Sequence, residues 1–467
     1  MSLRTKVLRG GVYLVLRQAL ATAIAAIGVI LLTRAIGPGA YGVFAAAAGV
    51  YAYLSILSQW GVEVYLIRRE EEPQPQDYHQ AFSLLLLISL TVAGLAFVAV
   101  PFLQHWVRLE RFGSVAIALF LMLPIEQLRL VPLARLERAL DYQKVALIEL
   151  SGLAIFYPVA LPLAYRGLGP WAPVGGWWAQ QLLTLCLLYW TSAYRPRLYW
   201  EPARVRAMLG YGLGYSTSQW IWELRLLVNP LVVSRYAGAE AAGYVALAMR
   251  LVAQLGFART VAWRLSIAAL ARLQRDRDRL VNAMTEGMSL QVIATGSFLA
   301  GFGWVAPWIV PLLFGSQWTS TLAVYPFIAV GSLSNAVFTL HSSVLYVLRD
   351  NWKVATFHLV HIALFAGSAL LLVPRLGLAG YGWAEVIALP SYILIQVWIG
   401  STVGSPKYSR AAIWYTAFAI PLFSWQLGPW TCISVMIPLV WPATRKELWQ
   451  IIATVFSAVS RTETRER

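Results

Sequence analysis

The chain has 467 residues, of which 59% are hydrophobic and only 12% are charged, and its mean hydropathy is +0.63. Soluble domains carry about 25% charged residues, so this composition excludes an ordinary soluble enzyme. At about 20 apolar residues per bilayer crossing, the chain suffices for roughly twelve to fourteen membrane-spanning helices. Its net charge of +16 is typical of proteins whose membrane spans are flanked by basic residues, and it does not require a nucleic-acid partner.

Apolar runs bounded by charged residues, Pro and Gly predict fourteen helices along the chain. Six form a first half, a basic segment follows, six more form a second half, and two end the series. The predicted spans are, approximately, 11–33, 43–66, 80–103, 113–134, 145–165, 171–193, 207–234, 243–270, 281–312, 320–348, 354–373, 379–400, 411–426 and 428–442. If the last pair is a re-entrant hairpin, twelve helices cross the membrane.

This pattern predicts an all-α polytopic membrane protein with two successive groups of six helices and two C-terminal helices. Beyond the last span, apolar residues at helical spacing between basic ends predict a helix in the membrane interface. The expected segments are an N-terminal bundle (1–193), a cytoplasmic linker (194–206), a C-terminal bundle (207–400), two additional helices (401–442) and a cytoplasmic amphipathic tail (443–467).

The distribution of basic residues predicts the orientation of the chain. When successive connections are assigned to opposite sides of the membrane, most Lys and Arg residues fall on one side, which the positive-inside rule makes cytoplasmic. Both termini are then cytoplasmic, in the inner membrane of a bacterium. Only six basic residues fall on the outer side: Arg34, Arg108, Arg111, Arg166, Arg235 and Arg375.

Cysteine usage gives no sign of a disulfide framework, a metal site or a cofactor. Cys186 and Cys432 lie in separate apolar runs, and neither has a Cys or His nearby at metal-ligand spacing. We therefore expect neither cofactor nor metal.

An arginine and glycine pattern occurs twice. Arg34, Gly37 and Gly42 share the spacing R-x-x-G-x-x-x-x-G with Arg235, Gly238 and Gly243, 201 positions later. Each copy connects the first two predicted helices of its half on the outer side, which indicates a parallel internal repeat.

Six segments in the same order make the chain resemble the oligosaccharide flippase (Wzx-like) branch of the multidrug/oligosaccharidyl-lipid/polysaccharide exporter superfamily. The resemblance implies two six-helix bundles plus two helices, and transport of a polyprenyl-diphosphate-linked glycan from the inner to the outer leaflet. The segments are RGGVYLVLRQ (9–18), LLTRAIGPGAYGVF (31–44), GYVALAMRL (243–251), ARLQRDR (271–277), APWIVPLLFG (306–315) and VPRLGLAG (373–380).

Ionisable residues inside predicted spans are the candidate site, because such groups normally face a wet cavity or a partner. The resemblance places the helices that open each half around the cavity, where guanidinium groups would clamp a diphosphate. Related lipid II flippases usually place an arginine in the second helix, where this chain has Gln59 and Glu63. The diphosphate-binding candidates are Arg17, Arg225, Arg250 and Arg259; the candidates for ion or proton coupling are Glu223, Glu286 and Glu385.

Spacing refines these candidates. Glu126 and Arg129 are three residues apart on one helix face and are expected to pair with each other. Glu223 and Arg225 are two apart and would point in different directions on a regular helix, so at least one should find a partner elsewhere. Arg259 falls on the opposite helix face from Arg250, and only one face can line a cavity.

Two other functions are compatible with this composition. A multidrug exporter of the same fold would require an acidic, aromatic pocket for cations, and the excess of arginine among the intramembrane charges argues against it. A membrane glycan polymerase or ligase would be an enzyme with a large outer loop, whereas the outer connections here are short. We expect a transporter and not an enzyme, with membrane lipids, a lipid-linked glycan and glycan polymerase or chain-length machinery as partners, and no nucleic acid.

Overall fold

The computed structural model describes residues 3–69, 71–256, 270, 273, 276–348 and 350–449, and for 3–16, 19, 214 and 215 only the backbone. Within these residues all regular structure is helical, which confirms the predicted all-α class. The helices of the first part are Leu3–Gln59, Val62–Arg68, Pro75–Val107, Phe112–Phe120, Met122–Leu128, Leu130–Arg138, Tyr142–Tyr165 and Trp171–Ser192. Those of the second part are Pro202–Glu223, Leu224–Leu227 (3-10), Asn229–Val233 (π), Ser234–Leu255, Arg277–Phe314, Ser316–Trp318 (3-10), Thr321–Val347, Asn351–Leu376, Leu378–Ala388, Leu389–Ser391 (3-10), Tyr392–Thr402, Ser409–Leu422, Ser424–Leu427, Pro429–Met436 (3-10) and Ile437–Val440.

Eight helical stretches of the described chain are long and apolar enough to cross a bilayer, which confirms a multi-pass membrane protein. The last predicted span, 428–442, is shorter than these stretches: its apolar helix, Pro429–Val440, has the length of a partial crossing of the bilayer. The eight stretches are Leu20–Gln59, Pro75–Val107, Phe112–Arg138, Tyr142–Tyr165, Arg277–Phe314, Thr321–Val347, Asn351–Leu376 and Leu378–Thr402.

The first two predicted spans lie in the helical range Leu3–Gln59, which consists of two helices that meet at Gly37, where the backbone is not helical. The sequence-based end of the second span at residue 66 was wrong. Trp60 and Gly61 adopt left-handed conformations, with φ of 47° and 62°, and these end the helix before a short separate helix, Val62–Arg68, begins. Hydropathy misses this break because apolar residues continue through it.

The span predicted over 207–234 is helical but irregular. The α-helix ends at Glu223, a 3-10 turn follows over Leu224–Leu227, and Asn229–Val233 is a π-helical turn containing Pro230. Proline has no N–H to donate to the preceding turn, so a wider turn at this point is physically expected. The Asn229 side-chain amide donates to the carbonyl of Ala242 at 3.2 Å and ties this segment to the next helix.

The chain divides into two compact units. The first comprises Met1–Leu247, Pro311–Trp318 and Phe365–Tyr381; the second comprises Ala248–Val310, Thr319–Leu364 and Gly382–Arg467. The first is built on fully buried side chains such as Phe112, Phe120 and Met122. In the second, Met284, Met288 and Ile395 are among the core residues.

The predicted C-terminal tail, 443–467, is described only as far as residue 449. There, Glu447 is nearly buried and accepts a hydrogen bond from the Trp414 indole N–H at 3.1 Å. Leu448 packs against the core of the second unit. Residues 450–467 lie outside the described residues.

Candidate functional site

The two copies of the arginine and glycine pattern adopt the same backbone conformation. Gly37 has φ 75° and ψ 170°, and Gly238 has φ 86° and ψ −178°. Each of these glycines joins two successive helices across a kink, and L-residues with side chains rarely adopt such angles. The sequence repeat is therefore a structural repeat at both positions.

The second glycines of the two copies pack against the opposite copy, within the first unit. A Cβ added to Gly42 would overlap the carbonyl oxygen of Ala239, and one added to Gly243 would overlap that of Pro38. We call this backbone-to-backbone contact the glycine crossing. Only the Cα hydrogen atoms of glycine fit between the two backbone segments at this point, so the close approach requires glycine.

Side chains around the glycine crossing add polar contacts. The Arg34 guanidinium donates to the Leu312 carbonyl at 3.2 Å, and the Trp318 indole N–H donates to the Thr33 carbonyl at 3.2 Å. The fully buried Trp318 ring also lies edge-on to Tyr41. The arginine of the first copy thus serves packing and hydrogen bonding in this structure.

Glu126 and Arg129 form the predicted ion pair, with 3.4 Å between Oε1 of Glu126 and a terminal nitrogen of Arg129. The other carboxylate oxygen of Glu126 accepts hydrogen bonds from the Tyr51 hydroxyl and, at 2.8 Å, from the Ser55 hydroxyl. Arg129 also donates to Oε1 of Gln181 at 3.1 Å. The carboxylate is thus held by donors from three residues, which is the arrangement of a structural charge network.

Arg17 also has a carboxylate partner, which the sequence did not predict. Its guanidinium lies 3.2 Å from Oε2 of Glu149, on the helix Tyr142–Tyr165. The two side chains are 28% and 38% exposed, respectively. Nε of Arg17 and Oε2 of Glu149 are buried but make no hydrogen bond with any described residue. The pair is therefore close in space but incompletely hydrogen-bonded.

Glu223 and Arg225 pair with each other, at 3.9 Å between Arg225 Nε and Glu223 Oε2, so the expectation that they point apart was wrong. The reason is the change from α to 3-10 helix at Leu224, which alters the angle between the two side chains. Arg225 also lies over the Trp222 ring, 4.7 Å from its centroid, in cation–π geometry. Gln219 donates to the other oxygen of Glu223 at 3.0 Å.

The remaining predicted site residues lie in the second unit. Arg250 is half-buried on Ser234–Leu255 and forms no ion pair with any other described residue. Glu286 is exposed on Arg277–Phe314, and Glu385 lies beside Gly331, whose missing side chain leaves room for the carboxylate. Arg259 lies outside the described residues, so its predicted position opposite Arg250 is not described.

Sequence reasoning missed a buried acidic residue beside the linker. Asp77 is 1% exposed and pairs with Arg69 at 2.8 Å and with Arg204, which also pairs with Glu201. Gln74 and Asp77 form a reciprocal capping box at the start of Pro75–Val107. An acidic residue three positions after a polar N-cap was the sequence signal for it.

These charges and neighbouring hydrogen bonds hold the linker (194–206) against the helix Pro75–Val107. The Tyr199 N–H donates to the Ser83 hydroxyl at 2.9 Å, and the Glu201 N–H donates to Oε1 of Gln80 at 2.6 Å. Hydrogen bonds from Arg204 and Tyr199 lower the pKa of the Glu201 carboxyl below its ordinary value. The linker is thus fixed by specific polar contacts over 199–204.

Among the described residues, His, Cys, Asp and Glu side chains form no group able to hold a metal ion. The described site residues form ion pairs and hydrogen bonds through arginine, glutamate and tyrosine side chains.

A protein-family model described as "Polysaccharide biosynthesis protein" matches residues 31–323, well over half of the chain. The chain belongs to this family. The match covers both copies of the arginine and glycine pattern and confirms the family resemblance recognised in the sequence.

Two curated relatives of this family member cover most of its length. The succinoglycan biosynthesis transport protein ExoT of Rhizobium meliloti (strain 1021) is 24% identical over 393 residues, which are 79% of this chain and 78% of ExoT. The lipopolysaccharide biosynthesis protein WzxC of Escherichia coli (strain K12) is 24% identical over 348 residues, covering 72% of this chain and 69% of WzxC.

Solved structures show the same fold. The lipid II flippase MurJ in an inward closed conformation aligns with a TM-score of 0.69 at 11% identity, covering 96% of this chain and 100% of MurJ. An inward-facing multidrug resistance transporter of the MATE family aligns with a TM-score of 0.61 at 14% identity, covering 83% of this chain and 98% of that one. The family member therefore has the fold shared by these two transporters.

Proposed function

We propose that this protein flips a polyprenyl-diphosphate-linked oligosaccharide from the cytoplasmic to the outer leaflet, for the synthesis of O-antigen or exopolysaccharide. Family membership and the similarity to ExoT and WzxC, proteins of succinoglycan and lipopolysaccharide biosynthesis, support this proposal. The multi-pass helical fold, shared with a lipid II flippase, suits a transporter that works by alternating access. These relatives support transport and not enzymatic chemistry.

The observation that carries the proposal is a set of arginines with unused hydrogen-bonding capacity. Nε of Arg17 and Nε of Arg225 are buried, and neither has a hydrogen-bond acceptor among the described residues. Buried donors without acceptors cost free energy, about 1–3 kcal/mol each. A diphosphate offers several negatively charged oxygens and would satisfy such donors in pairs.

The same geometry disfavours the multidrug exporter. A pocket for cationic drugs requires carboxylates that are free to pair with the drug. In the first unit Glu126, Glu149 and Glu223 each lie within 4 Å of an arginine. A bound cation would have to displace a guanidinium from each of them.

The proposal also covers the remaining candidate site residues, the orientation of the protein in the membrane and its partners. Arg250 and Arg259 are further candidate ligands of the diphosphate, and one of Glu223, Glu286 and Glu385 couples transport to an ion or proton. The protein lies in the bacterial inner membrane with both termini in the cytoplasm. Its segments are the N-terminal bundle (1–193), the cytoplasmic linker (194–206), the C-terminal bundle (207–400), two additional helices (401–442) and the cytoplasmic tail (443–467). Glycan polymerase and chain-length machinery in the same membrane receive the flipped product.

A reconstituted flipping assay tests the proposal. Liposomes contain the full-length protein and a polyprenyl-diphosphate oligosaccharide with a fluorescent sugar, and an external quencher reports on the outer leaflet. Wild-type protein should move the lipid across the bilayer, whereas Arg250→Ala should not. Arg166→Ala is the matched control, because Arg166 is exposed in an outer connection. Movement of a cationic dye without movement of the glycan lipid would overturn the proposal.

A further inference from the structure

Glu149 pairs with Arg17 across two neighbouring helices of the first unit. The helix Tyr142–Tyr165 packs along Leu3–Gln59, and the Tyr157 hydroxyl donates to the Ala25 carbonyl at 3.3 Å. The Tyr157 ring also fills the space beside Gly28. Packing of the two helices therefore holds Glu149 next to Arg17, independently of the ion pair.

The pair Arg17–Glu149, between two helices, and the pair Glu126–Arg129 differ in how completely their carboxylates are hydrogen-bonded. Glu126 accepts from Tyr51, Ser55 and Arg129, so its carboxylate has a full set of donors. Among the described side chains, Glu149 forms an ion pair only with Arg17, and its Oε2 atom makes no hydrogen bond. Displacing Glu126 would break three hydrogen bonds, whereas displacing Glu149 would break one loose ion pair.

We propose that Glu149 is the resident counter-ion of Arg17, and that an oxygen of the substrate's diphosphate takes its place when the substrate binds. This inference rests on the proposed function and assigns Glu149 a role in selecting the headgroup. An unpaired arginine inside a membrane is costly, so a nearby carboxylate stabilises the empty protein. The same carboxylate competes with any incoming anion.

Competition between Glu149 and an incoming anion for Arg17 favours ligands that carry more negative charge. A diphosphate carries more negative charge than a monophosphate and offers more oxygens to the planar donors of Arg17. It can therefore displace Glu149, while a polyprenyl monophosphate or an ordinary anionic phospholipid displaces it less well. Removing the charge of Glu149 should weaken this discrimination while leaving Arg17 able to bind.

The test measures binding of polyprenyl diphosphate and polyprenyl monophosphate to full-length protein in nanodiscs made of zwitterionic lipid. Glu149→Gln should bind the monophosphate about three- to tenfold more tightly, with a smaller gain for the diphosphate. Glu149→Asp should restore the wild-type preference. Arg17→Ala and the double variant Arg17→Ala/Glu149→Gln should bind equally weakly, since Glu149 acts through Arg17.

Glu126→Gln is the matched control, because it removes a carboxylate from the fully hydrogen-bonded pair and should leave the preference unchanged. Correctly folded Glu149→Gln with wild-type affinity for both lipids would overturn the counter-ion role while leaving the proposed function intact. Failure of the wild-type protein to bind either lipid would overturn the proposed function, and the role of Glu149 with it.

Discussion

Gly42 and Gly243 are 201 residues apart in the sequence, yet each faces a backbone carbonyl of the other's motif, with no room for a side chain. The kinking glycines that precede them, Gly37 and Gly238, have nearly equal backbone angles. The repeat is thus present in conformation and in mutual packing as well as in residue spacing.

The glycine crossing predicts sensitivity to small side chains. Gly42→Ala and Gly243→Ala should each lower the free energy of unfolding by about 1–3 kcal/mol, because a methyl group would push two backbones apart. Thermal unfolding in detergent measures the effect. Gly94→Ala is the control, since a Cβ there meets no other atom within 4 Å, and it should be neutral or slightly stabilising. Equal melting temperatures for Gly42→Ala and Gly94→Ala would contradict the close packing.

The charge network of Glu126 predicts a structural role. Glu126→Ala should lower the free energy of unfolding by about 3 kcal/mol, because Arg129 and the Tyr51 and Ser55 hydroxyls lose their shared acceptor. The comparison is Glu286→Ala on an exposed helix face, which should change stability by less than about 0.5 kcal/mol. Equal, small effects of both variants on the melting temperature would argue against the network.

Arg225 is predicted to act through the shape of its guanidinium as well as its charge. Arg225→Lys keeps the charge but loses the planar donors and the stacking on Trp222. We expect the initial rate of glycan-lipid flipping to fall about tenfold, in line with the loss of a charge-assisted bidentate contact. The exposed Arg166→Lys should flip at the wild-type rate. A wild-type flipping rate for Arg225→Lys would show that Arg225 does not act through paired guanidinium donors.

The diphosphate model also makes a prediction for the opening helix. Arg17→Ala should abolish flipping while leaving expression and membrane insertion intact, because the lost ion pair is partly exposed and the two helices also pack through Tyr157. The flipping assay and fluorescence-detected size exclusion of the same sample measure the two properties separately. Normal flipping by folded Arg17→Ala and Arg250→Ala would exclude a diphosphate clamp made from these residues.

Attachment of the linker is predicted to depend on pH. The pKa of Glu201 is lowered in the folded protein, so its contribution to stability is present at neutral pH. That contribution should be lost as pH falls below about 4.5, the ordinary value, through the lower folded-state pKa. The protection factor for hydrogen exchange at the Glu201 amide, which is bonded to Gln80, should fall over this range. Glu201→Gln should remove this pH dependence, and its persistence in the variant would assign it to another group.

Much of the fold could be predicted from hydropathy, because long apolar runs have few alternatives in a membrane. The failures have local causes. Trp60 and Gly61 end a helix inside an apolar run, and a 3-10 turn brings Arg225 back to Glu223. The Glu126 pair was predictable because its partners share a helix face, whereas the Arg17 and Glu149 pair joins residues 132 positions apart. Sequence spacing carries no information about such interhelical partners.

The glycine crossing also has an evolutionary consequence. After an internal duplication, the two copies of a segment are ordinarily free to diverge, since each serves its own half. Here each copy is part of the other's packing surface, so a side chain gained by one glycine is resisted by the backbone of the opposite motif. Divergence of the two halves is therefore physically restrained at these positions, however far the rest of each half has drifted.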